Sequence, residues 1–169
     1  MAKKPTHADA QLILQLYDLR REAEMRKARN WSTAQFWPQS AEDYIKVSSA
    51  SGTPENAYLR QVNSYWDMVA SFILNGVLND ELFFSPGVGN EMLFVFAKVQ
   101  PFLKDIREKT QSPLAFTNLE KAITKSKSGN PERVLRSIAG KTRSSSARSK
   151  PADASWCSTR SSRHANDTT

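Results

Sequence analysis

The chain has little of the chemistry that disulfides, metal sites and common catalytic motifs require. Its one cysteine, Cys157, has no second cysteine with which to form an internal disulfide. The two histidines, His7 and His164, lie near opposite ends, so the sequence holds no zinc-binding cluster of cysteine and histidine. It also lacks the phosphate-loop, GxGxxG, GxSxG and HExxH patterns. These absences predict a chain without metal or cofactor, and they weigh against an enzyme.

Long apolar runs are missing as well. The most apolar stretch spans residues 64–84, but its central run at 68–74 is bounded by Asp67 and by Asn75-Gly76. A membrane-spanning helix needs about 20 apolar residues, so this stretch predicts no membrane span. The basic residues 1–5 are not followed by the apolar region of a signal peptide. We therefore expect a cytoplasmic protein.

Helical periodicity is what the sequence does contain. The Thr-Pro pair at 53–54 favours a helix start, and Gly76 favours a helix stop. Between them apolar residues recur at steps of three and four: Tyr58, Val62, Tyr65, Trp66, Val69, Phe72 and Ile73. The pattern predicts an amphipathic helix over residues 54–75, with Arg60 and Asp67 on its polar side.

Similar patterns predict two helices before this one. Thr6 and Asp9 resemble a capping box, and a long first helix is expected at about residues 8–30. Along it, ion pairs are expected between residues four apart, Arg20–Glu24 and Glu22–Arg26. Ser40 is expected to cap a short second helix that ends near Ser49.

Helical spacing also continues after the break at residues 85–90. It runs from Met92 to Ile106, and Pro101 within it predicts a kink near residues 98–100. Ser112-Pro113 and Asn130-Pro131 are each expected to open a further helix, the last closing near Gly140. Sustained strand alternation is missing from the sequence. We therefore predict an all-α fold, an irregular bundle of four to six helices with a disordered C-terminal tail.

Charge and composition change near residue 140. Residues 1–140 hold 18 lysines and arginines and 15 acidic residues, a net charge of +3, whereas residues 141–169 hold 6 and 2, a net charge of +4. The second segment is rich in serine and arginine, so it cannot bury enough apolar area to offset the entropy of ordering. We predict a helical domain at 1–140, best defined over 8–126, and a disordered basic tail at 141–169.

Two blocks of sequence resemble a known family: LRQVNSYWDMVASFILNGVLNDELFF at 59–84 and EMLFVFAKVQPFLKDIREK at 91–109. Residues 76–83 fit its turn pattern G-x-[IL]-[ND]-[DE]-x-[IL]-[FY], and Pro101 fits the proline near the end of its second long helix. Over about residues 10–125 the chain is similar to this family of small uncharacterised bacterial proteins, a domain of unknown function. The resemblance implies an all-helical fold and a bacterial setting, and it supplies no activity, cofactor or catalytic residue. Many relatives also carry an N-terminal membrane segment, which is not expected here.

Large aromatic side chains form the first candidate site. There are more of them than a small bundle needs for its core, so a remaining apolar surface would suit a protein partner or a second copy of the chain. The residues are Trp31, Phe36, Trp37, Phe83 and Phe84. The alternative is that they close the core. Arg26, Lys27 and Arg29, just before Trp31, also allow a basic aromatic surface for single-stranded nucleic acid.

The tail forms a second candidate site, for phosphate backbones. Its candidate contacts are Arg143, Arg148, Lys150, Arg160 and Arg163. Such contacts would bind nucleic acid without reading its sequence and would weaken as salt rises. The alternative is a tail that only interacts with solvent.

Asp67 and Arg60 form the third and weakest candidate site. Asp67 would act as a general acid or base if it were buried against Tyr65 and Trp66. The alternative is that Asp67 is a solvated residue of the polar face, or that it pairs with Arg60 or Arg107. The sequence thus favours a non-enzymatic protein-interaction module, then nonspecific association with nucleic acid through the tail, and last an enzyme that uses Asp67.

Overall fold

The computed structural model describes residues 4–126, and every regular element in that part of the chain is helical. The helices are α1 (His7–Leu19), α2 (Ala23–Ala34), α3 (Ala41–Ser49), α4 (Pro54–Leu74), α5 (Asp80–Phe83), α6 (Asn90–Val99), α7 (Leu103–Lys109) and α8 (Thr117–Lys125). The predicted all-α class is confirmed. The expected helix at 130–140 and the expected tail at 141–169 lie outside the described residues.

Helix α4 is the centre of the fold. It begins at the Thr53 cap, whose Oγ1 accepts a hydrogen bond from the Asn56 amide at 3.3 Å, and it ends before Gly76, which has a φ of +68°. Helices α2, α3 and α8 pack against it. Its inner residues Trp66 and Val69 are almost completely buried, so the predicted helix and its inward face are confirmed. Within residues 4–126, no helix combines the length and apolarity that crossing a bilayer requires.

The predicted first helix at 8–30 is wrong, because the chain turns between α1 and α2. Glu22 causes the break: its carboxylate accepts the Met25 amide at 2.8 Å and caps α2. A side chain that supplies the first hydrogen bond of a new helix competes with continuation of the old one. The turn also frees Arg20 from the predicted pairing with Glu24. Arg20 instead binds Glu91 of α6.

The C-terminal half follows the sequence pattern up to α7. The break that Pro101 predicts is present, but it lies slightly later than the expected residues 98–100, as a 3₁₀ turn, Gln100–Phe102, between α6 and α7. The helix expected after Ser112-Pro113 is present as α8, but its predicted start is wrong, because α8 begins only at Thr117. Phe116 precedes it with a φ of +58°, which is unusual for a bulky residue. Its buried ring packs edge-on against Tyr44, with centroids 5.8 Å apart, so tertiary packing compensates for this backbone strain.

Candidate functional site

Four of the five aromatic residues predicted to form a surface lie in the core. Trp31 and Phe36 are each 8% exposed and stack with ring centroids 4.8 Å apart. Phe83 and Phe84 are also buried and meet edge-on. Burial of such large rings contributes a large share of core stability, which favours the core placement. The predicted aromatic surface is thereby reduced to Trp37, which is 36% exposed.

Trp37 covers a buried lysine that the sequence analysis did not single out. The Nζ of Lys98 lies 4.1 Å from the ring centroid of Trp37 and 4.4 Å from that of Phe94. The same Nζ donates hydrogen bonds to the carbonyl oxygens of Ser32 and Phe36, the second at 2.9 Å. These carbonyls lie near the C-terminal end of α2, where the helix dipole favours a cation. Lys98 therefore connects α6 to the end of α2.

Burial lowers the pKa of Lys98 to about 7. The cause is desolvation, since Lys98 is only 5% exposed. The two carbonyl oxygens and the two ring faces act in the opposite sense, because each stabilises the ammonium form. The signal in the sequence was a lone lysine inside the apolar run MLFVFAKV, a position that ordinarily marks a charged group with dedicated partners.

An ion triplet lies between α1, α2 and α6. Glu91 pairs with both Arg20 and Arg29, and the Nε of Arg29 donates to its Oε1 at 2.7 Å. All three side chains are largely buried, with 11%, 26% and 13% of the side chain exposed for Arg20, Arg29 and Glu91. The hydrogen bonds that Arg29 donates to the Glu91 carboxylate raise the pKa of Arg29. The triplet holds the turn between α1 and α2 against the start of α6.

Aromatic groups complete this cluster. The guanidinium carbon of Arg20 lies 4.8 Å from the ring centroid of Tyr17 and 5.2 Å from that of Trp66. Among the side chains of the described residues, two buried donor atoms have no hydrogen-bond partner: Arg20 Nε and Trp66 Nε1. Tyr65 donates from its hydroxyl to the Leu16 carbonyl at 2.8 Å, and burial raises its pKa to about 12. The arrangement orders four helices around one charged centre.

Asp67 and Arg60, the predicted polar site, do not come together. Asp67 is half-buried and accepts a hydrogen bond from Asn118 of α8 at 2.9 Å. Arg107, its other expected partner, pairs instead with Glu120 at 2.7 Å. Arg60 is exposed and lines an open groove of about 360 Å³ on α4, together with Ala57, Gln61 and Ser64. Asp67 therefore joins α4 to α8 and does not line this groove.

The outward side of α1 carries no charge over two turns. Ala10, Gln11, Leu14 and Gln15 are all exposed, and Leu14 is 66% exposed. We call these four residues the outer face of α1. The opposite side contains Leu12, Ile13 and Leu16, which pack against the core. The sequence predicted a contact surface from its aromatic residues alone, so this face was not predicted.

The outer face of α1 is held in a fixed orientation. Asp9, which is 2% exposed, accepts the backbone amide of Asn79 at 2.8 Å and that of Thr6 at 2.8 Å. This confirms the predicted capping box of Thr6 and Asp9 and adds a link to the start of α5. Near the other end of α1, the Tyr65 hydroxyl binds the Leu16 carbonyl. These contacts, at Asp9 and at Leu16, fix the orientation of α1 near both of its ends. In that orientation the outer face is exposed to solvent.

The remaining predicted contacts are in the tail and lie outside the described residues: Arg143, Arg148, Lys150, Arg160 and Arg163. Within residues 4–126, no group of three or more histidine, cysteine, aspartate or glutamate side chains is placed to hold a metal ion.

These features define a class: an all-helical domain with a charged interior cluster and an uncharged exposed helix face. The chain belongs to the family described as Domain of unknown function (DUF4760), whose model matches residues 5–126. The predicted resemblance to a domain of unknown function is thereby confirmed, while the bacterial setting stays a prediction. No curated protein and no solved structure matches the chain.

Proposed function

We propose that this domain is a non-enzymatic protein-interaction module, with the outer face of α1 as its contact surface. The observation that carries the proposal is Leu14, which is 66% exposed at the centre of an uncharged helix face. An exposed leucine alone is ordinary on a protein surface. A face of alanine, glutamine and leucine is different, because a partner helix can pack on it without desolvating a charge.

The neighbouring helix α2 supports this interpretation by contrast. Its exposed side carries Glu24, Arg26 and Lys27, and Lys27 pairs with Glu24 at 2.7 Å. That side is typical of a helix face that stays in water. The outer face of α1 lacks such charges although it is equally exposed.

Site-specific photo-crosslinking in the cells from which the chain derives tests the proposal. A photoreactive phenylalanine analogue in place of Leu14 should form a covalent adduct with a protein. The matched control is the same analogue in place of Leu114, an equally apolar side chain that is 78% exposed in the turn before α8. Equal adduct yields at both positions, or no protein adduct at position 14, would contradict the proposal.

A second candidate function is nonspecific nucleic-acid association through the tail, as the charge distribution suggests. Residues 4–126 hold 14 lysines and arginines and 14 acidic residues, so this part has no net charge. Residues 127–169 hold 9 and 3, a net charge of +6. Attraction to phosphate backbones depends on such an excess of positive charge. The steepness with which binding affinity falls as salt rises reports the number of phosphate contacts.

Fluorescence anisotropy with a labelled DNA duplex tests this second candidate. The full chain should bind at low salt and lose affinity steeply as salt rises, and deletion of residues 141–169 should abolish binding. The matched variant keeps the length of the tail but replaces five residues with glutamine: Arg143, Arg148, Lys150, Arg160 and Arg163. Binding that persists in 0.5 M salt, or in this variant, would refute the mechanism.

A further inference from the structure

We propose that the partner on the outer face of α1 is a second copy of this chain, packed with its α1 antiparallel across a two-fold axis. The inference rests on the proposed function and adds the identity and geometry of the partner. Its basis is the distribution of exposed residues along α1 and the side chains at the two ends of that surface, His7 and Asp18.

Six of the eight exposed residues of α1 form one continuous surface, and the other two, Ala8 and Leu19, lie beside it. At 3.6 residues per turn, the outer face together with His7 and Asp18 occupies a sector of about 140° around the helix axis. All six residues are exposed. Asp9 and Leu16, the buried residues of α1, lie on the opposite side. The surface is thus wide enough for one helix and is not interrupted by the domain itself.

The order of residues along this surface favours an antiparallel pair. A two-fold axis between Leu12 and Ile13 places Gln11 beside the partner's Leu14 and Ala10 beside the partner's Gln15. Small and medium side chains then meet at the centre, where two helices approach to about 8–10 Å. The two-fold arrangement uses the same surface on both chains, as most homodimers do.

The side chains at the two ends of this surface favour an antiparallel pair of helices over a parallel pair. In the antiparallel pair, His7 lies beside the partner's Asp18, so an imidazole donor meets a carboxylate acceptor. In a parallel pair, Asp18 would lie beside the partner's Asp18, and two like charges would repel. The uncharged centre and the complementary ends therefore select a second copy in antiparallel orientation.

The contact is small, so the dimer should be weak. Helix α1 has 13 residues and is about 20 Å long. A single helix pair of this length lies at the low end of specific interfaces, and we expect a dissociation constant on the order of tens of micromolar.

Sedimentation velocity of the purified full chain over a range of concentrations tests the self-association. The wild type should shift from monomer to dimer, and Leu14→Glu should raise the dissociation constant at least about tenfold, since it places two carboxylates at the centre of the contact. Leu114→Glu, at a position that is also exposed, should behave as the wild type. Circular dichroism of both variants checks that the fold is retained. A wild type that stays monomeric at every concentration, or a dimer indifferent to Leu14→Glu, overturns the proposal.

Thiol cross-linking tests the direction of the pair. In a Cys157→Ser background, His7→Cys and Asp18→Cys chains are mixed and treated with a short bismaleimide. The mixed product should dominate, because like positions lie 11 residues out of register, roughly 16 Å apart along the axis. Products between two His7→Cys chains or between two Asp18→Cys chains in place of the mixed one indicate a parallel pair and overturn the proposal.

The two proposals fail in different ways. If the purified chain is monomeric but position 14 still forms an adduct with a different protein in cells, the second copy is excluded and the interaction module stands. If position 14 forms no protein adduct and the chain is monomeric, both fail.

Discussion

At the residue scale, the charged side chains that matter most are the ones withdrawn from solvent. Glu91 binds two arginines from different helices, and Lys98 binds two carbonyl oxygens beneath two aromatic rings. The ion pairs and the carbonyl contacts are not local in sequence: Arg20 and Glu91 are 71 residues apart, and Lys98 and Ser32 are 66 apart. Such groups cost free energy to bury unless every charge is paired, so their partners hold the surrounding helices in one arrangement.

Glu91→Gln should lower the free energy of unfolding by about 2–4 kcal/mol, because it leaves two largely buried guanidinium groups without a carboxylate. Urea denaturation followed by circular dichroism measures the change. Glu24→Gln is the matched control, since Glu24 forms an exposed pair with Lys27 and should cause little change. Equal effects of the two substitutions would show that the triplet contributes nothing beyond an exposed ion pair.

Lys98 should make stability depend on pH in the alkaline range. Its pKa is about 7 in the folded protein, below the ordinary lysine value of 10.5. Between these two values the unfolded chain binds more protons, so the Lys98 contribution to the free energy of unfolding rises with pH. Below pH 7 both states are protonated, and the cost of burying the charge is fully present and constant.

The measurement compares the wild type with Lys98→Met, an unbranched apolar side chain of similar length. The wild-type stability minus that of Lys98→Met should rise between pH 7 and 10, at most by about 1.4 kcal/mol per pH unit. Tyr44 and Tyr65, whose pKa burial raises to about 12, are present in both proteins and cancel in the difference. A difference that stays flat or falls over this range would contradict the argument.

At the element scale, helix ends are determined by caps, and most of these caps could be identified from the sequence. Ser40, Thr53 and Asn79 each accept the amide three residues ahead, as their residue types predict. The start of α6 is different, because its N-cap, Gly89, makes no side-chain hydrogen bond. Position 89 requires glycine for a steric reason, because a Cβ atom there would collide with Phe83, six residues earlier.

Gly89→Ala should therefore destabilise the protein more than a glycine substitution in an open turn. A Cβ at position 89 would lie 2.8 Å from both the carbonyl oxygen and a ring carbon of Phe83, and we expect a loss of about 2–3 kcal/mol. Gly52→Ala is the matched control: its Cβ meets nothing within 4 Å, and only its φ of +87° is unfavourable, at about 1 kcal/mol. Thermal unfolding of both variants shows which of them loses more stability. A larger loss in Gly52→Ala than in Gly89→Ala would contradict the steric argument.

At the scale of the whole molecule, the described core and the excess of positive charge can be compared along the chain. Among residues 4–126, the buried apolar residues form one cluster that draws on helices from α1 to α8. Residues 4–126 as a whole have no net charge, whereas residues 127–169 carry a net charge of +6. The family model covers almost the same range as the cluster, residues 5–126. Stability and any electrostatic function should therefore be separable.

A chain that ends at residue 126 should fold on its own. We expect its Tm to lie within about 4 °C of that of the full chain, a difference near 1 kcal/mol at this size, with an equally cooperative transition. Differential scanning calorimetry of chains 1–126, 1–140 and 1–169 makes the comparison. A much lower Tm for chain 1–126, together with a Tm for chain 1–140 equal to that of the full chain, would instead show that residues 127–140 belong to the core. The predicted 1–140 domain requires this second result.

The sequence by itself determined the helical class, the course of α4 and most of the caps, because these depend on local spacing and on side chains that bond within their own turn. Only the tertiary structure decided which aromatic residues are buried, where α1 gives way to α2, and which partners Arg20, Asp67 and Lys98 take. Those outcomes depend on contacts between residues far apart in the chain, where packing and desolvation outweigh the local preferences that a sequence pattern records. The outer face of α1 follows the same rule: its residues can be read from the sequence, but its exposure depends on what the other helices leave uncovered.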